Sequence, residues 1–306
     1  MSLVSLLKPK GPNGFGYGST AEEVTQNINL TDKTVFITGC NSGLGKETTR
    51  VLSLRGAYVI GTARTKNKAE QTAKDLQINK FLPLECELSN PKSIEECVQQ
   101  IQSQSLKIDI LICNAGIMAL PKLEKAFGYE LQFFTNHIGH FYLVKRLLTS
   151  LSEEARIVVV SSSAHFMAPK NGIDFENLKG EKSYDPWIAY GQSKMANVLF
   201  AKGLAKRFEG TKKTAFALHP GVIQTNLSRY MHPFFSFTFN IFSPIFFKTI
   251  PEGAATQCYV ATAPNIAGLS GAYFVDCNPA QPRKDAEDPN LVEKLWQVSE
   301  EITQTL

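Results

Sequence analysis

The sequence predicts one α/β domain built on a doubly wound, mostly parallel sheet, and three observations carry that prediction. Short runs that are apolar throughout recur along the chain, helical stretches separate them, and the first run feeds straight into a glycine-rich turn that opens a helix. Strands buried on both faces have that continuous apolar character, and helices between them supply the crossovers a parallel sheet requires. The chain has 306 residues, 43% hydrophobic and 20% charged, which is ordinary globular composition with enough length to bury a sizeable core.

The elements follow in order. Lys10–Gly18 (KGPNGFGYG) is rich in Gly and Pro and reads as an irregular lead-in. Ser19-Thr20-Ala21-Glu22-Glu23 is a capped helix start, because a Ser or Thr hydroxyl satisfies the first free amides. Thr34–Thr38 (TVFIT) is the first strand, followed by a helix from about Leu44 to Leu54. Tyr58–Gly61 (YVIG) and Phe81–Leu84 (FLPL) are the second and third strands. A helix beginning near Pro91 leads to the strand Ile108–Cys113 (IDILIC). One long helical region is expected over Glu124–Leu151, ahead of the strand Arg156–Val160 (RIVVV). A helix over Trp187–Phe208 and the strands Ala215–Leu218 (AFAL) and Ala272–Val275 (AYFV) complete the sheet. Residues 1–30 make a lead-in segment with its short helix, and residues 31–306 the domain.

Several function classes lose support from composition. The net charge is only +4, and no run of Lys and Arg interleaves with aromatics, so nucleic acid is not expected as a partner. Six cysteines are scattered without a CxxC pair or clustered histidines, which argues against a metal site and a disulfide framework and for a reducing compartment. The apolar stretch ahead of Lys8 and Lys10 is too short and wrongly ordered for a secretory signal. A cytoplasmic location is the expectation, with an organelle or peripheral membrane association left open.

The first strand runs into Thr38-Gly39-Cys40-Asn41-Ser42-Gly43-Leu44-Gly45. At a strand-to-helix turn, three glycines let the chain bend sharply and bring backbone amides against a pyrophosphate at a helix N-terminus. The spacing is TGxxxGxG, not GxGxxG. After the second strand stands Arg64, where an NAD-selective site places a carboxylate; a guanidinium there pairs with a 2′-phosphate, so NADP(H) is the expected cofactor. Lys46 is a weaker second cation. Asn114-Ala115-Gly116 ends another strand with small residues that let a cofactor approach the backbone.

Tyr190-Gly191-Gln192-Ser193-Lys194 gives YxxxK within a helix, so the ammonium and the phenol share one face. A free tyrosine ionises near pH 10, roughly three units too high for efficient proton transfer at neutrality. A fixed cation beside it favours phenolate, and a positive nicotinamide ring acts in the same direction. Ser161-Ser162-Ser163 lies at a strand's C-terminal end, where open α/β sheets bind ligands and a hydroxyl can hold a reacting oxygen.

In this order and spacing, from about Thr31 to Asp276, the motifs resemble those of the short-chain dehydrogenase/reductase family. The likeness is to its retinol-dehydrogenase-like and WW-domain-oxidoreductase-like members, through NHIGHFYLV (Asn136–Val144), VVVSSSAH (Val158–His165), AYGQSKMANVLF (Ala189–Phe200) and HPGVIQTNL (His219–Leu227); the sequence contains no WW domain. The resemblance implies a Rossmann-type fold in which Tyr190 is general acid in reduction and general base in oxidation. Lys194 would lower its pKa and hold the nicotinamide ribose, Ser162 would bond the substrate oxygen, and Asn136 would anchor a water in a proton relay to Lys194. Asn114, Ala115 and Gly116 would line the cofactor, and Pro220, Gly221 and Thr225 would contact its nicotinamide end. The family's usual Asp-Leu after the third strand is here Glu87-Leu88, which keeps an acceptor toward adenine with one more methylene. Val159 and Cys113 replace frequent asparagines without removing a reacting group.

The family places its variable substrate lobe at about residues 225–251. Here His232–Phe247 (HPFFSFTFNIFSPIFF) carries seven phenylalanines. They read as an apolar wall for a retinoid, steroid or fatty aldehyde, as core, or as a lipid or partner contact. The leading function is hydride exchange with an apolar carbonyl or alcohol. The alternative is an NADP(H)-binding sensor or scaffold with little turnover, since fold alone does not fix function. Family members often pair through helix bundles, and a homo-oligomer is left open.

Overall fold

A computed structural model describes residue 4, residues 8–223 and residues 247–306 of the chain. In chain order its main elements begin with the short helix α1 (Ala21–Val24), β1 (Thr34–Thr38), α2 (Gly43–Leu54), β2 (Tyr58–Ala63), α3 (Lys66–Leu76) and β3 (Phe81–Glu85). Next come α4 (Pro91–Ser103), β4 (Ile108–Cys113), the hairpin strands β5 (Lys125–Ala126) and β6 (Tyr129–Glu130), and a helix α5 in three stretches. The stretches of α5 are Leu131–Phe133, the π-helical Phe134–Ile138 and Gly139–Leu147. The chain closes with β7 (Leu151–Val160), α6 (Pro186–Arg207), β8 (Thr214–His219), α7 (Ile250–Thr262), β9 (Tyr273–Val275), β10 (Asn278–Ala280) and α8 (Pro289–Gln304).

The eight-stranded sheet has the order β10-β9-β8-β7-β4-β1-β2-β3. β10 is antiparallel to β9, and every other pairing is parallel. This is the doubly wound, single-domain architecture the alternation of elements predicts. Because the strand order reverses between β1 and β4, a crevice opens beyond their carboxyl ends, where such sheets bind ligands.

Alternation along each strand builds two cores, one per face. From β1, Val35 and Ile37 pack with Val51, Leu52, Ala254 and Cys258. Phe36 points the other way, into a layer with Ile94, Phe141, Leu199 and Trp296. All six cysteines are free and buried in these layers. The predicted N-terminal cap is present: Thr20 and Glu23 form a reciprocal capping box on α1.

One expectation is corrected. The region Glu124–Leu151 is not a single helix, because Lys125–Glu130 is a hairpin. At its turn Phe127 (φ 49) and Gly128 (φ 83) both adopt left-handed backbone, which matches the twist of a two-residue hairpin and is incompatible with a right-handed helix. The helix starts only where the Glu130 carboxylate accepts the amides of Gln132 and Phe133, and it ends at Leu147. Thr225 and the phenylalanines ahead of Phe247 lie outside the described residues.

Candidate active site

The glycine turn is shaped by close backbone approach. Gly39 has φ +70, and at Gly45 a Cβ would stand 2.0 Å from the Gly39 carbonyl oxygen and 2.6 Å from Asn114 Nδ2. Ser42 occupies the N-cap of α2 without using its hydroxyl to cap it. The first amides of a twelve-residue helix therefore face the crevice, a cradle fitted to an anionic pyrophosphate. Opposite it the Asn114 turn is pinned to β1: Asn114 N and Ala115 N donate to Thr38 Oγ1 at 2.9 and 3.0 Å, and Asn114 Nδ2 donates to Thr38 O at 2.8 Å.

With two amides already on its oxygen, Thr38 is left to donate its proton, and His140 Nε2 accepts it at 2.9 Å. Nδ1 of His140 then carries the ring proton and donates to Asn136 O at 2.9 Å. Burial holds this histidine down to about 4, so it stays neutral. Asn136 itself is fully buried behind Gly116. Its Oδ1 accepts from Ile117 N at 2.8 Å, and its Nδ2 donates to Ile117 O and Ser193 Oγ, each at 2.9 Å. Ser193 Oγ in turn donates to Tyr190 O at 2.7 Å. Asn136 thus splices the turn after β4 to the helix that carries the tyrosine.

That helix, α6, starts at Pro186 under an Asp185 cap that accepts the amides of Trp187 and Ile188. Tyr190 and Lys194 lie one turn apart on its buried face. Lys194 Nζ stands 5.6 Å from the centre of the Tyr190 ring and donates to Val160 O at 3.2 Å. The Ser162 hydroxyl, just beyond the end of β7, stands beside the phenol and lines the same cavity. Burial pushes Tyr190 up to about 12, and the neighbouring Ser162 hydroxyl works against that rise. The same burial brings Lys194 down to about 8. Among the protein's own groups, desolvation therefore outweighs the acidification that the YxxxK pairing suggests, because the amine is itself desolvated.

A cavity of about 840 Å³ joins these parts. The glycine turn (Gly39, Asn41, Ser42, Gly43, Leu44 and Gly45) lines one end. Arg64, Glu87 and Leu88 line its flank, and Asn114, Ala115 and Gly116 its floor. Ser162, Tyr190, Lys194, Pro220 and Gly221 line the other end. Every sequence-predicted site residue is brought there except Asn136, which supports the floor from behind, Lys46, which turns to α3, and Thr225, which is outside the described residues.

Details differ from expectation. Glu87 Oε1 accepts from the backbone and hydroxyl of Ser89 at 3.2 and 3.0 Å, so its carboxylate is partly engaged. Lys46 pairs with Asp75 on α3 and does not line the cavity. Arg64 is exposed, at the cavity edge. Trp187, His140, His165 and His219 near the site were not singled out by sequence reading. The two histidines of NHIGH and the one ending VVVSSSAH were the legible signal. A larger, shallower groove of about 1050 Å³ lies at the opposite ends of β7 and β8. It contains none of these groups, and its Lys202 and Lys212 are paired with Glu287 and Glu154.

A glycine cradle facing a buried tyrosine, serine and lysine is the layout of a dinucleotide-dependent dehydrogenase, and comparison with known proteins agrees. Residues 33–233 match the short chain dehydrogenase family. The chain is 40% identical to the chloroplastic short-chain dehydrogenase TIC 32 B of Brassica napus, over 100% of both chains. It is 40% identical to retinol dehydrogenase 14 of Homo sapiens, over 88% of this chain and 85% of that one. An uncharacterized protein of Mycobacterium paratuberculosis superposes with a TM-score of 0.75 at 32% identity, covering 94% of this chain and 98% of that one. The chain belongs to the short-chain dehydrogenase/reductase family. It is an oxidoreductase of carbonyl and alcohol substrates that works with a nicotinamide dinucleotide.

Proposed function

We propose that the chain is an NADP(H)-dependent oxidoreductase that exchanges hydride with an apolar carbonyl or alcohol of the retinoid, steroid or fatty aldehyde type. One observation carries the reading: the Tyr190 phenol, beside Ser162 and one turn from Lys194, shares a crevice with the glycine cradle. When bound there, the nicotinamide supplies or takes the hydride. The chain's own residues manage the proton. Ser162 orients the substrate oxygen against the phenol, and Tyr190 gives that oxygen its proton in reduction and takes it back in oxidation. Lys194 keeps positive charge below the phenol, and Asn136 acts by holding Ile117 and Ser193 in place.

Two features support the finer assignments. Arg64 is exposed at the cavity edge, and its guanidinium is chemically suited to a ribose 2′-phosphate. Met118, Leu120, Met167, Trp187 and Val222 make the substrate end apolar, and several relatives carry the name retinol dehydrogenase. The six free buried cysteines suit a reducing compartment, and we place the chain in the cytoplasm. Its partner is a small apolar molecule, with the Phe-rich lobe as a second, lipid-facing candidate.

Purified protein given NADPH and a panel of apolar aldehydes should oxidise the cofactor, and Tyr190→Phe should abolish turnover while leaving NADPH binding intact. A Tyr190→Phe protein with normal turnover would refute the mechanism, and tight NADPH binding without turnover across the panel would favour the sensor reading. Arg64→Ala should weaken NADPH binding about tenfold or more, as loss of a charge-assisted pair does, and leave NADH nearly unchanged. Equal losses for both cofactors would show that Arg64 does not read the phosphate.

A further inference from the structure

The proton chemistry above leaves His165 unused, although its ring is fully buried three residues after Ser162. Ser162 has extended backbone (φ −160, ψ 157) and opens the 3-10 turn Ser163–Met167. Its carbonyl oxygen receives two N–H groups, the backbone amide of His165 at 3.1 Å and the ring Nδ1 at 2.6 Å. A carbonyl only accepts, so Nδ1 carries the ring proton. Nε2 must then accept, and it does so from Arg283 N at 3.0 Å. Both ring nitrogens are thereby committed and the tautomer is fixed.

The strand-following segment that carries Arg283 grips the same turn further along. Its guanidinium donates to Ala168 O and Pro169 O, each at 2.6 Å, and pairs with Asp285. The imidazole packs against Phe166 and Tyr273, with ring centres 4.2 and 5.1 Å away. On the other side of the serine, Ser163 N donates to His219 Nδ1 at 3.2 Å. The backbone that presents the Ser162 hydroxyl is therefore tied to the chain beyond β10 and not only to its own strand.

We propose that His165, locked by Arg283, is a positioning residue that sets where the Ser162 hydroxyl meets the Tyr190 phenol. The proposal rests on reading Ser162 and Tyr190 as the reacting pair. Neither His165 nor Arg283 touches substrate; each acts through the Ser162 carbonyl and the turn behind it. Near-attack geometry is steep enough that a displacement originating outside the reacting groups lowers turnover strongly.

The full chain is assayed with NADPH and decanal as His165→Phe, His165→Asn and Ser162→Ala beside the unmodified protein. Phe keeps the ring packing but loses both bonds, whereas the Asn amide stands near the place of Nδ1 and still donates to the Ser162 carbonyl. His165→Phe should lower kcat about tenfold with the KM for NADPH held to about twofold, and His165→Asn should recover most of the loss. A merely structural role would lower the melting temperature of both variants together without splitting them in kcat. Equal kcat for His165→Phe and the unmodified protein, with Ser162→Ala inactive, overturns the proposal and leaves the site reading standing. Full turnover by Ser162→Ala would remove that reading and the proposal with it. Independently of turnover, nitrogen-15 NMR of the protein alone should show His165 as the neutral Nδ1–H tautomer; an Nε2–H or charged ring at neutral pH also overturns the proposal.

Discussion

Adding one methyl group at Gly45 gives a sharp test of how the cofactor turn is built. A Cβ there would lie 2.0 Å from the Gly39 carbonyl oxygen, 2.6 Å from Asn114 Nδ2 and 2.9 Å from the Gly39 carbonyl carbon. The oxygen would have to retreat by about 1 Å to reach even a crowded separation, and overpacking of that kind costs about 3 kcal/mol. Neither neighbour yields easily. Gly39 already sits at φ +70, and Asn114 is tied to Thr38 through its own backbone amide and its side-chain amide. For a chain of this length about 3 kcal/mol corresponds to a fall in melting temperature of about 5 °C. The displaced backbone is the phosphate cradle itself, so Gly45→Ala should also weaken NADPH binding about tenfold or more, each factor of ten being about 1.4 kcal/mol. Gly268→Ala is the control, since a Cβ there meets nothing within 4 Å. Thermal melting with and without NADPH, together with fluorescence titration, measures both effects. If Gly45→Ala melted with the unmodified protein and bound NADPH equally well, close packing of the turn could not be what its glycines are for.

Two further outcomes follow from buried charge. Burial lowers Lys194 to about 8, whereas the unfolded ammonium keeps its proton to about 10.5, so between these values the unfolded chain binds more protons and this lysine's contribution to stability rises with pH. The penalty, about 3 kcal/mol, is fully present below pH 8 and is relieved as pH increases. Raised phenol and thiol values act in the opposite direction at high pH, so the difference between the unmodified protein and Lys194→Met is the quantity to measure; a difference flat from pH 7 to pH 10 would contradict this account. Lys248 has a fully buried side chain and pairs with Asp276 at 2.7 Å, without the directionality of a hydrogen bond. Asp276→Asn should therefore destabilise the fold by about 3–5 kcal/mol in urea unfolding, and a loss below about 1 kcal/mol would show that the pair carries no such weight.

Much of the site was legible because its motifs are short. TGxxxGxG places glycines within one turn, and YxxxK places a phenol and an amine one helical turn apart, whatever the rest of the chain does. Alternating apolar runs and helices likewise fix the doubly wound sheet, since the faces they bury have few other partners. The hairpin at Lys125–Glu130 was missed because the apolar positions around it fit a helix. What separates the two is the left-handed backbone at Phe127 and Gly128, and only Gly128 announces it in sequence.

The amino-acid sequence by itself determined the fold class, the glycine turn and the identity of the candidate catalytic side chains, because each depends on residues close together in the chain. Tertiary packing alone decided their environment. It brought His140 against Thr38 across 102 positions and Arg283 against His165 across 118. It also buried Tyr190 and Lys194 deeply enough to move their proton affinities in opposite directions. Tautomers and proton affinities depend on which groups surround an atom and how much water is excluded from it, and no local spacing specifies that.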